Sequence, residues 1–353
     1  MNFDFNDEQR AIKESARDML ASRYPLEEVR RLALEHERGF TDEQWRELTE
    51  LGWPGIFVRE EDGGQGLGVV ELVILQEELG YALAPTPFFS NACAGLLLAA
   101  AGSDEQRERW LRPLAAGEAR GTLAQLDEGA PMEPTGSSLT GTKIAVADAG
   151  SADFLVVAVG EGRHFVVETG GEGVRIEPTR GLDPTRKLFA VHLHGAEGHQ
   201  LEQDPDATDR AYCTMAVALA AESTGVAQRA LDMAVEYAKD RKQFDRPIGV
   251  YQAISHRCAQ MLLEVEGARS VSYYAAWALD HEPESGALAA AMAKAYASDA
   301  GWRVPASSLQ VHGGIGFTWE HDLHFFLKRG RANAAALGDA RFHRERVAEL
   351  AGV

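Results

Sequence analysis

The stretch Arg241-Lys242-Gln243-Phe244-Asp245-Arg246-Pro247-Ile248-Gly249-Val250-Tyr251-Gln252-Ala253-Ile254 follows a long amphipathic run from Tyr212 to Lys239. Around it, apolar residues recur at the helical period, from Asp206 to the end of the chain. N-terminal to this region the pattern changes. Val146, Phe154 to Val159, His164 to Val167, Gly173 to Ile176 and Leu188 to Leu193 are short, β-branched and bounded by Gly, Asp or Pro, the signature of strands. Earlier still the helical period returns. Asn6 can cap a helix through Gln9, Ile12, Ala16 and Leu20, and Thr41 with Gln44 forms a capping-box pattern before Trp45, Leu48 and Leu51. A glycine-rich loop, Glu60 to Gly68, leads into an apolar helix over 69–83 with acids expected on its outer face. A small-residue buried helix is expected over 91–102.

Helices, then strands, then helices predict an α+β chain, not an alternating βαβ sheet. The regions are a helical N-terminal domain over 1–120, a β-sandwich or barrel domain over 121–203, and a four-helix-type bundle over 204–353. A chain of 353 residues suits such a set of packed subdomains.

Charge and composition exclude several functions. With 35 Lys and Arg against 54 Asp and Glu, the net charge of −19 disfavours nucleic acid. The longest apolar stretch, 92–101, is too short to span a bilayer. The start MNFDFNDEQRAIKESARDML lacks the basic, then apolar, character of a leader, so a cytoplasmic location is expected. Cys93, Cys213 and Cys258 have no CxxC spacing and read as buried reduced thiols. His312, His321 and His324 lack an accompanying carboxylate motif and read as interface or surface histidines, with no metal expected. Neither Gly313 to Phe317 nor Gly63 to Gly68 has the strand context of a dinucleotide fingerprint.

The block 241–254 resembles the RxxFGxxIxxxQ segment of acyl-CoA dehydrogenases, with Asp245 where that pattern has glycine. Gly225 to Leu231 upstream, Gln310-Val311-His312-Gly313-Gly314-Ile315-Gly316-Phe317 downstream and Glu60 to Gly68 near the start are similar to further segments of that family, in the same order along the whole chain. The resemblance implies FAD as cofactor. Arg241 would meet the FAD pyrophosphate as a forked donor, with Gln243 beside it. Phe244 would pack the cofactor's apolar surface, Gln310 would supply polar contacts, and Gly313 and Gly314 would let backbone approach closely.

Departures from the family pattern fall on the catalytic side. The usual base, a glutamate that removes the α-proton, corresponds by spacing to Leu337, and the alternative base position to Met215. The acid and arginine that the family uses toward CoA correspond to Cys213 and Ala216. The TExxxGSD-like loop reads here as Leu123-Ala124-Gln125-Leu126-Asp127-Glu128-Gly129-Ala130-Pro131, without its Ser and Thr donors. Glu222, two turns beyond Met215, and Asp339, two residues past Leu337, remain as candidate bases.

The TWEHDLH stretch after GGIGF, Leu-Gly-Asp at 337–339 and DPTR at 183–186 are similar to actinobacterial-type acyl-CoA dehydrogenases of steroid side-chain degradation, in which two different chains pair into a heterotetramer. The expectation is a subunit for α,β-desaturation of a bulky acyl-CoA, with the non-catalytic half of such a pair as the leading reading. It would work with a second acyl-CoA dehydrogenase-like subunit or as a homo-oligomer, and with an electron-transfer flavoprotein-type acceptor. The rival readings are a self-sufficient dehydrogenase using Glu222 or Asp339, and an FAD-free scaffold on the same fold.

Overall fold

The computed structural model describes residues 5–353; Met1 to Asp4, the first residues of the stretch that lacks leader character, lie outside the described residues. Five N-terminal helices come first: α1 (Asp7–Arg23), α2 (Leu26–Glu35), α3 (Asp42–Glu50), α4 (Val69–Ala82) and α5 (Phe88–Ala101). Short turns α6 (Asp104–Gln106) and α7 (Arg112–Ala115) lead into the strands β1 (Gly121–Ala124), β2 (Leu126–Asp127), β3 (Ser138–Ala147), β4 (Phe154–Ala158), β5 (His164–Glu168), β6 (Val174–Thr179), β7 (Leu188–Glu197) and β8 (His199–Gln200). The remainder is helical: α8 (Pro205–Asp240), α9 (Gln252–His281), α10 (Pro283–His312), α11 (Leu323–Ala335) and α12 (Ala340–Ala351). A two-stranded hairpin, β9 (Lys242–Gln243) with β10 (Arg246–Pro247), separates α8 from α9. Among the described residues no helix is long and apolar enough to cross a membrane.

The chain divides into two compact units, one of the described part of Met1–Arg31 with Val69–Ala84 and Ala216–Val353, the other of Leu32–Gly68 with Pro85–Met215. In the second unit two four-stranded sheets, β1-β4-β5-β8 and β2-β3-β7-β6, share one core. Leu155, Val157, Phe165 and Val167 of the first sheet meet Leu139, Val146, Phe189, Val191 and Leu193 of the second, which makes a sandwich and not a closed barrel. Each of the five strand stretches legible in the sequence falls on one of β3 to β7, with Val159 and Gly173 just outside β4 and β6; β1, β2 and β8 are too short to show a period.

In the first unit the caps fall as expected at α1. Asn6 Oδ1 accepts from Gln9 N at 2.8 Å, while Gln9 Oε1 accepts from Asn6 N at 3.1 Å. Gly225 on α8 lets α4 pack against it, because a Cβ there would lie 1.9 Å from Glu77 O. One expectation fails at α4, whose acids do not form an outer face. Glu77 and Glu78 are buried, and cations on other helices reach in to them. Lys13 Nζ lies 3.3 Å from Glu77 and 2.9 Å from Glu78; Arg269 Nε is 3.0 Å from Glu77, and Tyr273 Oη donates to Glu77 at 2.6 Å. Burial alone would raise the Glu77 carboxyl, but Lys13, Arg269 and Tyr273 bring it below its ordinary value.

Candidate cofactor surface and the Leu337 turn

Helix α8 ends where Arg241 N donates to Tyr237 O at 2.9 Å, and the chain then turns through the β9–β10 hairpin. Its two loop residues, Phe244 and Asp245, have φ of 53° and 63°. A two-residue hairpin loop of this hand needs positive φ at both central positions, and aspartate tolerates that region better than most residues. Asp245 can therefore stand where the family pattern has glycine. The hairpin is braced from behind: Tyr251 Oη donates to Gln243 O at 3.0 Å, and Ile248 N to Arg241 O at 2.8 Å. Phe244 is left 86% exposed. Arg241 is exposed and forms no ion pair among the described residues.

Gln310 sits exposed in the last turn of α10, and Gly313 and Gly314 open the 3-10 turn that follows. Gly313 has φ 63° and ψ −140°, backbone that only glycine adopts readily. A Cβ at Gly313 or Gly314 would meet nothing within 4 Å, so no described atom of this chain demands their small size by contact. The two segments are joined at one end of the helical bundle. His312 stacks on Tyr237, one turn before Arg241, with ring centroids 4.6 Å apart, and Ser308 Oγ donates to Ala230 O at 2.7 Å. Around them Ile315, Phe317 and Trp319 are exposed apolar side chains. The structure thus gathers Arg241, Gln243, Phe244, Gln310, Gly313 and Gly314 at that end, all but the glycines with exposed side chains. An unpaired forked donor, an open aromatic ring and an uncovered glycine turn fit the part of FAD that the resemblance assigns to them.

The histidines beside this surface are more enclosed than expected. His312 is buried, because its ring packs on Tyr237 and its Nδ1 lies 2.9 Å from Ser308 O. His321 makes an edge contact to His312 at 4.7 Å, and His324 stacks on Trp319 at 4.5 Å. Burial lowers the pKa of all three. Among the described residues no three His, Cys, Asp or Glu side chains gather as a metal site. Cys93 and Cys213 are buried and Cys258 half-buried, and no disulfide joins them.

Leu337 follows α11 on a turn with φ 56°, and Gly338 continues it with φ 89°. Asp339 is exposed and caps α12, accepting from Phe342 N at 2.8 Å; that bond holds its carboxyl below the ordinary range. Glu222, 2% exposed on α8, pairs with Arg329 of α11, itself buried. An acid among Ala220, Ala221 and Ser223 is thus met by an arginine 107 residues away. Met215 is fully buried, and Cys213 and Ala216 nearly so.

Two buried lysines lie outside every motif of the sequence. Lys143 of β3 has its Nζ 2.6 Å from Asp127 and 3.3 Å from Gln125 O, so it holds the 123–131 stretch by carboxylate and backbone. Lys294 is buried within α10 and reaches Gly338 O. Its one sequence signal is its place as a single lysine inside the alanine-rich run 289–297.

Comparison with known proteins places nearly the whole chain beside one family. Residues 6–118 match the family described as acyl-CoA dehydrogenase, N-terminal domain, and residues 206–351 the acyl-CoA dehydrogenase, C-terminal domain. The chain is 35% identical over 342 residues to acyl-CoA dehydrogenase IpdE2 of Mycobacterium tuberculosis, covering 95% of this chain and 94% of that protein. The solved ChsE4-ChsE5 complex from Mycobacterium tuberculosis aligns with a TM-score of 0.91 at 28% identity, over 100% of this chain and 99% of the matched one. A variant of the Tcur3481-Tcur3483 steroid ACAD aligns at 0.90 with 29% identity, over 98% of each.

Proposed function

This chain belongs to the acyl-CoA dehydrogenase family, and we propose that it completes the FAD site of a second, different subunit that carries the base. FAD is the family's cofactor, and when bound it takes up the hydride in α,β-desaturation of an acyl-CoA. The residues of this chain supply contact and charge. Arg241 offers a forked cation to the pyrophosphate, Phe244 an apolar face, and the Gln310–Gly314 turn polar groups and close backbone approach.

One observation carries the reading. The surface of Arg241, Phe244, Gln310 and the glycine turn is ordered and exposed, while the position that by spacing corresponds to the family's base is a leucine on an ordered turn. A leucine accepts no proton, and Met215 at the other base position is equally inert. Glu222 and Asp339 are engaged as an ion pair and a helix cap, which weighs against a self-sufficient dehydrogenase. The exposed apolar side chains Phe244, Ile315, Phe317 and Trp319 suit burial by another chain. Two of the structural relatives carry two-component names, ChsE4-ChsE5 and Tcur3481-Tcur3483, and the latter is called a steroid ACAD. The substrate is accordingly read as a bulky, steroid-derived acyl-CoA, and the electron acceptor as an electron-transfer flavoprotein.

The test is to purify the chain alone and with co-expressed candidate partners, reading flavin absorbance and acyl-CoA oxidation with an artificial acceptor. Flavin retention and turnover are expected only in the two-chain complex. An isolated chain that forms a homo-oligomer, holds stoichiometric FAD and oxidises an acyl-CoA would overturn the proposal.

A further inference from the structure

Lys294 is 1% exposed, in a helix rich in alanine around it. Its Nζ donates to Ser298 Oγ at 2.9 Å, to Asn333 O at 3.1 Å and to Gly338 O at 3.0 Å. Three acceptors match the three donors of an ammonium. Asn333 is within the last turn of α11, where carbonyls lack helical partners and the helix dipole favours a cation. Gly338 belongs to the turn in which Leu337 takes a left-handed backbone that disfavours a leucine. His343 Nε2 lies 2.9 Å from Leu337 O, so successive carbonyls of this turn are held by a histidine and a lysine.

We propose that Lys294 is a positioning residue whose three hydrogen bonds fix the end of α11 and the Leu337–Gly338 turn, and so set where side chain 337 is presented. The meaning of position 337 for acyl-CoA chemistry rests on the proposed function above; the clamp itself rests on the geometry.

The clamp carries a pH dependence. Burial lowers Lys294 to about 7, opposed by Asp339 beyond it. Other titratable and charged groups at the turn are His343, which burial keeps below its ordinary value, Arg346 near it, and Arg341 beside Asp339. A neutral amine can still donate to the two carbonyls and accept from the Ser298 hydroxyl, but its bonds to the carbonyls lose the charge assistance of the ammonium and weaken as pH rises through neutrality.

Hydrogen exchange by mass spectrometry over residues 334–340 tests this, with rates corrected for intrinsic exchange, from about pH 6 to about pH 9. In the intact protein, with any co-purifying subunit, protection of this segment should fall about tenfold over that range, the change expected when charge-assisted hydrogen bonds to the two carbonyls become neutral ones. Protection at 300–309 should stay level. Lys294→Met should show the low protection at every pH. A Lys294→Met protein as protected as wild type at the acid end would overturn the clamp, and wild-type protection that is flat with pH would overturn its pH dependence. Should Lys294→Met fail to fold, Lys294→Gln, whose shorter amide cannot span the three acceptors, takes its place, and protection equal to wild type would again overturn the clamp. Because the readout needs neither flavin nor turnover, its failure is separable from failure of the two-chain reading.

Discussion

Glu222 of α8 and Arg329 of α11 are paired with both side chains buried. Truncating one partner of such a pair strands the other charge away from water, at a cost of about 3 kcal/mol. Glu222→Ala should therefore lower the unfolding free energy by that amount, seen as a lower urea midpoint at unchanged slope, and Glu222→Gln by less. A base would behave otherwise, with turnover of the two-chain complex lost and stability intact in Glu222→Gln. Along the chain alone, the same residue is an acid in an alanine-rich helix two turns from an emptied base position, and the arginine that occupies it is far away in sequence. Asp339 is visible in the sequence as an acid but not as a cap, since its role depends on α12 beginning immediately after it. That boundary follows from the left-handed turn at 337 and 338, which no local pattern announces.

At the scale of elements, the link between α8 and α9 stands out in the sequence as a motif, while its hairpin form belongs to the structure. The departure from that motif, Asp245 for glycine, is explained by a loop that needs positive φ and tolerates aspartate. Asp245→Val should disturb the hairpin, because a β-branched residue resists that backbone; exchange protection at 242–248 would report it. Phe244 contacts little in its own chain, so Phe244→Ser should change folding stability by no more than about 0.5 kcal/mol. The same substitution should weaken flavin retention in the two-chain complex by about tenfold or more, as for an anchor at an interface centre. Equal retention by both proteins would remove Phe244 from the proposed half-site. Helix α4 marks the limit of reasoning by element. Its apolar run is plain from the residues, but the surroundings of Glu77 and Glu78 are decided by Lys13, Arg17, Arg269 and Tyr273 on other helices.

For the molecule as a whole, the response to acid follows from groups that folding buries. His164 of β5 lies 2.8 Å from Tyr212 Oη, and burial pushes it down to about 4 while raising the tyrosine. Below about pH 6.5 the unfolded chain binds a proton at this histidine that the folded chain refuses. Stability is therefore lost as pH falls from about 6.5 toward 4, by up to about 3 kcal/mol from this residue. Glu77, lowered in the folded state, acts in the same direction as its carboxylate is protonated. Denaturant midpoints at neutral and mildly acid pH, compared between wild type and His164→Gln, isolate the histidine: the variant should lose less stability on acidification. An identical loss in both would show that His164 titrates normally.

The sequence by itself determined the order of helices and strands, a helix cap at Asn6, a capping box at Thr41, the motif between α8 and α9 and the resemblance of its residues to a flavin half-site. These rest on periodicity, turn chemistry and short motifs, whose causes act within a few residues. Tertiary structure decided which charges are spent. Glu222 and Arg329 are 107 residues apart, Glu77 and Tyr273 196, and Lys294 and Gly338 44. A buried polar group must find its partner wherever packing brings one. That packing is why a lysine from α10 and a histidine from α12 meet the carbonyls of the Leu337–Gly338 turn.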